Sequence, residues 1–393
     1  MDILQGIRVL DFTQYQAGPY GAALLADFGA DVVKIERPGG EPARINHPDV
    51  GGVNAFFLVN NRGKRSACLD LSKASGRAVA RRLASRADVL VHNLKPGAME
   101  KLGLGYVDLR PLNQRLVYAA VSTYGPKGST KDSGGVDLIA QAESGLMSVT
   151  GLPAGDALPV GAAVADALGG INLAFSVMAA LFARERTGEG QLVQISLVGG
   201  LLGLQAWEMQ HHILSGSSAA RGGRSHPLVK TLWQSFRASD GEFVIAEVSD
   251  SWSGICRAIA RPELVDEERF RSVGRRVKHR SALLEVLEGV FVTAPAAEWI
   301  RRLREEGVLA APVRSYADIA ADPDTLANGY LRRLAHPKKG SMVTPGPFLH
   351  FSETPAEIRA AAPEVGEHTH AVLREAGYDE RDIDSLRAEG AIV

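Results

Sequence analysis

Two cysteines in 393 residues, Cys68 and Cys256, leave no basis for a disulfide framework and fit a reducing compartment. The sequence has no C-x-x-C pair and no Cys/His cluster, so the usual zinc signatures are missing and no metal is expected. It also lacks an excess of charge: 44 Lys and Arg stand against 45 Asp and Glu, a net charge of −1. A nucleic-acid binder would carry a basic excess, so that class is set aside. The opening residues Met1–Gly6 have neither a basic region nor a following apolar run, so no signal peptide is expected. The longest apolar stretch, Gly161 to Ala183, is interrupted by Asp166, Asn172 and Ser176, and reads as a buried core helix rather than a membrane span. Together these absences predict a cytoplasmic protein with no nucleic-acid or membrane partner.

What is present is the composition of a globular protein, 45% apolar and 23% charged. The length suits two or three domains with cores large enough to need no cross-links. The 42 glycines exceed the ordinary share of about 7%, and call for turns or close backbone approaches.

Alternation of strand and helix patterns organises the first half. Ile7 to Phe12 reads as a strand, Pro19 to Phe28 as a helix closed by Gly29, and Asp31 to Glu36 as a second strand, which makes a βαβ unit. Strands follow at Ser66 to Leu71, Asp88 to His92 and Leu116 to Val121, with helices from Lys73 to Ser85 and from Pro96. This predicts an α/β fold: a parallel sheet covered by helices, with ligands at the strand ends. Asp137 to Met147 and Ala167 to Arg186 read as helices, and Gln191 to Leu197 as a strand. Ser215 to Pro227 reads as a linker, Ser239-Asp240-Gly241 as a hairpin turn, and Trp252 to Arg304 as helical. The expected organisation is a large domain begun by residues 1–200, a linker 201–229, a smaller α+β domain 230–313, and a segment 314–393 that completes the large domain.

The first βαβ unit invites a dinucleotide reading, since Glu36 ends the second strand where a ribose-binding acid would sit. Its turn, Thr13 to Pro19, lacks G-x-G-x-x-G, and Pro19 has no N–H for a phosphate, so that reading fails. No P-loop, G-x-S-x-G or H-E-x-x-H is present. Basic residues gather after the strands: Arg37; Arg62, Lys64 and Arg65; Lys95 and Lys101. They are either solvated surface or contacts for a phosphorylated ligand. Asp166 stands before an apolar helix and near Gly169 and Gly170. Two readings stay open: a helix N-cap, or a carboxylate kept ionised by the helix dipole and serving as a covalent nucleophile beside glycines that let a substrate approach. The histidine pairs His211/His212 and His368/His370 lack partners at ligand spacing.

Several ordered motifs resemble the family III CoA-transferases, the CaiB–BaiF group. They are GIRVLDFTQYQAGPYGAALLADFGADVVKIERPGGEPAR from Gly6, NNRGKRSACLDL from Asn60 and ADVLVHNLKPGAMEKLGLG from Ala87. VDLIAQAESGLMSVTG from Val136, GAAVADALGG from Gly161 and ARERTGEGQLVQISL from Ala183 complete the series. The resemblance implies a Rossmann-like large domain built from both chain ends, a smaller domain, and an interlocked homodimer. It implies an acyl-CoA donor, a carboxylate acceptor and no permanently bound cofactor, coenzyme A entering as part of the substrate. It places Asp166 at the catalytic aspartate, with Gln16 beside it and Asp137 as a second acidic group. It assigns coenzyme A contacts to Gln16, Ala17, Arg37, Leu69, Leu71, Asn93, Leu94, Lys95 and Lys101.

Departures narrow the activity. Racemases of the family carry His-Asp where this chain has Val136-Asp137, and valine takes no proton. Leu94 replaces a common Phe, which alters adenine packing. The glycine-rich loop of formyl-CoA transferases is replaced by Arg221-Gly222-Gly223-Arg224-Ser225-His226-Pro227, so formate or oxalate specificity is not indicated, and Arg224 becomes a candidate partner for a substrate carboxylate. The sequence thus predicts transfer of CoA between small organic acids, dicarboxylates among them, through an aspartyl-CoA thioester. An isomerising relative (racemase or intramolecular transferase) and a CoA-binding protein without turnover remain the alternatives.

Overall fold

A computed structural model describes residues 2–248 and 250–393; Met1, the first residue of the N-terminal segment considered above, and Ser249 lie outside it. The chain forms two compact units. The first comprises the chain up to Ser144, Val160–Gln205 and Pro323–Val393; the second comprises Gly145–Pro159 and Ala206–Asp322.

Six parallel strands build the sheet of the first unit: β1 (Arg8–Asp11), β2 (Asp31–Glu36), β3 (Arg65–Cys68), β4 (Val89–His92), β5 (Val117–Ser122) and β6 (Leu192–Ser196). Their order is β3-β2-β1-β4-β5-β6. The direction of strand addition reverses between β1 and β4, which opens a crevice at the carboxyl ends of those two strands. Four strands are short and nearly all their residues are buried, because helices cover both faces of the sheet. On one face Leu10, Val33, Leu69, Leu90 and Tyr118 share a core with Val79 and Leu83 of the covering helix Ala74–Ala84, and with Leu373, Ile383 and Ile392 from the chain end. The carboxyl-terminal segment therefore belongs to this core, and Leu69 bridges Ile392 through the backbone.

Helix α1 (Ala17–Asp27) packs against a long helix, α2 (Val164–Thr187). By length and apolarity α2 is the one helix among the described residues able to cross a membrane. Here it lies against α1, β5 and β6. Gly170 makes the approach to α1 possible, and Gly169 the approach of Leu197. A Cβ on Gly170 would come within 2.9 Å of the Ala17 carbonyl oxygen, and one on Gly169 within 2.4 Å of Leu197 Cδ2. One reading of the sequence has these glycines let a substrate approach; the structure shows both packed closely against neighbouring residues.

In the second unit, β7 (Trp233–Arg237), β8 (Glu242–Ala246) and β9 (Leu309–Pro312) form an antiparallel sheet over helices whose core includes Phe236, Phe243, Trp252, Phe291 and Trp299. The Asp240-Gly241 hairpin falls between β7 and β8 as expected. Trp252 to Arg304 is helical in several separate segments. Two local expectations fail. Residues 206–215, assigned to a linker, form a helix. The helix from Asp137 stops at Glu143 and a separate turn runs over Leu146–Val149, because Gly145 takes φ +84° between them.

Candidate active site

The turn after β1 is held by buried charge. Asp11 Oδ1 accepts hydrogen bonds from the Thr13 N–H at 2.8 Å and from the Thr13 hydroxyl. Its other oxygen accepts one from Lys64 Nζ at 2.7 Å, and Lys64 also reaches the Pro19 carbonyl and Asn61 Oδ1. Lys34 donates to the Thr13 carbonyl at 2.8 Å and pairs with Glu41 at 2.9 Å. Glu41 in turn accepts the Tyr15 N–H at 2.8 Å. Between these, Asn93 of the neighbouring strand end accepts the Gln14 N–H and donates to its carbonyl, each at 2.8 Å. The backbone of Thr13, Gln14 and Tyr15 is thus fixed residue by residue. Tyr15 sits at φ +63°, a conformation rare for a residue with a side chain and sustained here by those bonds. Gln16 follows at the amino end of α1, its side chain free of any capping bond.

Burial pushes the Asp11 carboxyl upward, but Lys64 and Lys34 outweigh it and hold it below its ordinary range. Burial pulls Lys64 down to about 8 against the attraction of Asp11. Arg62 is bound by Asp27, and Arg65 by Asp31 and Glu375. Three of the six basic residues considered as phosphate contacts are therefore structural. Glu36, the candidate ribose acid, is also committed: it holds Arg44 through both oxygens at 2.7 Å and accepts from Ser66 Oγ.

Opposite this turn, α2 begins at Val164, so Asp166 lies inside the first turn and does not cap it. Asp137, first residue of the helix Asp137–Glu143, supplies the cap from another element. Its Oδ1 accepts the N–H of Ala165 at 2.7 Å and of Asp166 at 3.2 Å. Its Oδ2 accepts from Gln141 Nε2 at 2.6 Å. The helix dipole is not the main influence on the Asp166 carboxyl. Burial, and after it the Asp137 charge, push the Asp166 carboxyl up to about 6. No cation is among the influences on it.

A cavity of about 460 Å³ joins these pieces. Asp166, Gln16, Ala17, Asn93, Leu94 and Lys95 all line it, with Gln14, Tyr15, Ser122, Thr123 and Val136. It lies at the carboxyl ends of β1, β4 and β5, the crevice the strand order creates. Arg37, Leu69, Leu71 and Lys101 do not line it. Arg37 and Lys101 are exposed, Leu71 is half-buried, and the Leu69 side chain, 1% exposed, is packed into the core. Arg224 belongs to the second unit, where it pairs loosely with Glu288 at 3.7 Å. The sequence reading passed over Gln141. Its place four residues after Asp137 on one helix face was the available signal.

A family model described as CoA-transferase family III matches residues 4–369. The chain is 39% identical over 391 residues to a succinyl-CoA:mesaconate CoA-transferase of Haloarcula marismortui, covering 96% of this chain and 98% of that protein. It is 32% identical over 396 residues to a succinyl-CoA:glutarate CoA-transferase of Mus musculus, covering 100% of this chain and 91% of that protein. Among solved structures, a CAIB/BAIF family protein from Brucella suis superposes with a TM-score of 0.86 at 32% identity, over 95% of this chain and 99% of that one.

Proposed function

Because the chain belongs to CoA-transferase family III, we propose that it exchanges CoA between two small dicarboxylic acids through a thioester on Asp166. The enzyme transfers CoA from an acyl-CoA donor to a carboxylate acceptor. The observation that carries the residue assignment is the cavity in which Asp166, Gln16, Asn93, Leu94 and Lys95 meet. Named activities of the relatives, succinyl-CoA with glutarate or mesaconate, support dicarboxylates as the substrate class.

The ionised Asp166 carboxylate attacks the donor thioester carbonyl and expels CoA thiolate, leaving a mixed anhydride. The thiolate attacks the aspartyl carbonyl of that anhydride, releases the donor acid as its carboxylate and leaves Asp166 as the CoA thioester. The acceptor carboxylate attacks this thioester, a second anhydride forms, and CoA thiolate returns to the acceptor's carbonyl. The product acyl-CoA departs and Asp166 is regenerated as a carboxylate. With its carboxyl at about 6, Asp166 is ionised at neutral pH and remains a better base than an ordinary aspartate. The Gln16 amide is placed to donate to the oxygen that gains charge in each tetrahedral intermediate. Contacts to the distant nucleotide, with exposed Arg37 and Lys101 as candidates, supply binding energy that can be used at the thioester. Coenzyme A enters only as substrate. Asp137 acts on Asp166 through the helix end rather than on the acyl group. Arg224 is the candidate partner for the second carboxylate.

We place the enzyme in the cytoplasm, on the ground that both cysteines are buried free thiols. A homodimer is supported by α2, which exposes Ile171, Phe175 and Phe182 along one side at 37%, 67% and 62%. Incubation with a pool of short acyl-CoAs followed by peptide mass spectrometry tests the chemistry. A CoA adduct on the Asp166 peptide, absent in Asp166→Ala, is expected. Binding of CoA with no adduct from any donor would sink the reading and favour an isomerase or a binding protein.

A further inference from the structure

Asp137 and Asp166 are two carboxylates beside one another, and one residue outside the cavity determines how they differ. Gln141, 1% exposed, is fixed at both ends of its amide. Its Oε1 accepts the Val160 N–H at 2.9 Å, and its Nε2 donates to Asp137 Oδ2 at 2.6 Å. A backbone N–H can only donate, so the amide has one orientation: oxygen toward Val160, N–H toward Asp137. Asp137 Oδ1 already accepts two backbone N–H groups. The three hydrogen-bond partners of the Asp137 carboxylate, two backbone N–H groups and the Gln141 amide, therefore all donate to it.

We propose that Gln141 is a positioning residue that decides which carboxyl of the Asp137–Asp166 pair takes up a proton on acidification: it keeps Asp137 an acceptor, so that proton goes to Asp166. The inference rests on the transferase reading for its consequence, since a nucleophile must lose that proton before it attacks. At acidic pH, attack on the donor and release of the proton from Asp166 are then linked, with burial first and the Asp137 charge second in raising the Asp166 carboxyl. The other elements packed on α2 contribute little to the balance. β6 and the helix Leu197–Leu204 carry no titratable group, α1 offers Tyr20 at its near end with Asp27 at its far end, and Tyr118 of β5 faces the opposite core. On the cavity wall the titratable groups besides Asp166 are Tyr15 and Lys95. The upward displacement of Asp166 by burial and by Asp137 agrees with this division.

Two variants separate the proposal from a simple packing role. The rate of adduct formation at Asp166 is measured against pH in the wild type, Gln141→Met and Asp137→Asn. Wild type is expected to rise along one limb centred near about pH 6. Loss of the Gln141 donor lets the proton spread onto Asp137 and leaves Asp166 ionised at lower pH, so the limb moves down by about half a pH unit or more while KM for acyl-CoA stays within about twofold. Asp137→Asn removes the charge outright and moves the limb the same way and further. A Gln141→Met limb that coincides with the wild type, whatever the drop in amplitude, overturns the proposal. Should Gln141→Met not fold, ¹³C-carboxyl NMR of the aspartate-labelled wild-type enzyme decides, with Asp166→Asn assigning the resonance. Asp166 titrating alone near about pH 6 supports the proposal, and Asp137 and Asp166 titrating together over the same range overturn it. This titration needs no donor, so an absent adduct would remove the transferase reading without deciding the role of Gln141.

Discussion

Two clusters of acidic groups lie within the first unit and are built on opposite plans. Around Asp11, Glu36 and Glu41, every buried carboxylate has a cation: Lys64 at 2.7 Å, Arg44 at 2.7 Å and Lys34 at 2.9 Å. Around Asp137 and Asp166 the compensation is by backbone N–H and one amide, and the influences on Asp166 are burial and a like charge. The first cluster spends its charges on holding the Thr13–Tyr15 backbone in a strained turn, where an uncompensated ion would unfold the site. The second keeps a carboxylate short of partners, which raises its basicity and leaves it free to react. The turn that the first cluster holds and Asp166 of the second line the same cavity, through Gln14 and Tyr15 on one side and the carboxylate on the other. A buried charge that is fully paired is architecture; one left short of a partner is a candidate for chemistry.

Breaking the paired cluster should have the largest effect on stability. Lys64→Met leaves Asp11 buried without its closest cation, and unfolding by denaturant should show a loss of about 3–5 kcal/mol. A loss under about 1 kcal/mol would mean that Asp11 is not held by this pair.

Breaking the unpaired cluster should act in the other direction. Asp166 has its carboxyl at about 6 in the fold against 3.8 in the unfolded chain. Between those values the folded state binds the proton more tightly, so stability falls as pH rises through that window and the full cost stands above about pH 6. Two pH units at 1.36 kcal/mol each set an upper limit of about 3 kcal/mol. Asp166→Asn should therefore stabilise the protein at neutral pH by up to that amount and change little below about pH 4. Equal melting shifts at both pH values would contradict the assignment.

Arg224 sharpens the comparison as a cation with only a loose partner, Glu288 at 3.7 Å. Arg224→Ala should lower kcat/KM for dicarboxylate acceptors by roughly tenfold, the worth of one charge-assisted contact, and leave monocarboxylates nearly unchanged. Equal losses on both classes would exclude Arg224 from substrate recognition.

Much of the first unit was legible from local pattern. Its strands are near-continuous apolar runs between turn residues, so their number and the parallel sheet followed from the alternation. The central residues of the cavity, Asp166, Gln16 and Asn93, were carried by motifs that span contiguous residues. What escaped was whatever depended on a partner distant in sequence. Nothing near Lys64 announces that its charge is taken by Asp11, 53 positions away. Nothing near Gly170 reveals that α1 lies against it, and β9 pairs with β8 from more than sixty residues on. The helix Ala206–Ser215 was misread because its small and polar neighbours looked like a linker.

The sequence by itself determined the alternation of strand and helix and the family, and nominated the carboxylate proposed to react, because periodicity and short motifs are properties of neighbouring residues. Tertiary structure alone decided what raises the Asp166 carboxyl. That balance depends on burial and on an acid 29 residues away, held by an amide that a backbone N–H orients. Electrostatic energy varies with distance in space and with the surrounding medium, and neither can be read from order along the chain.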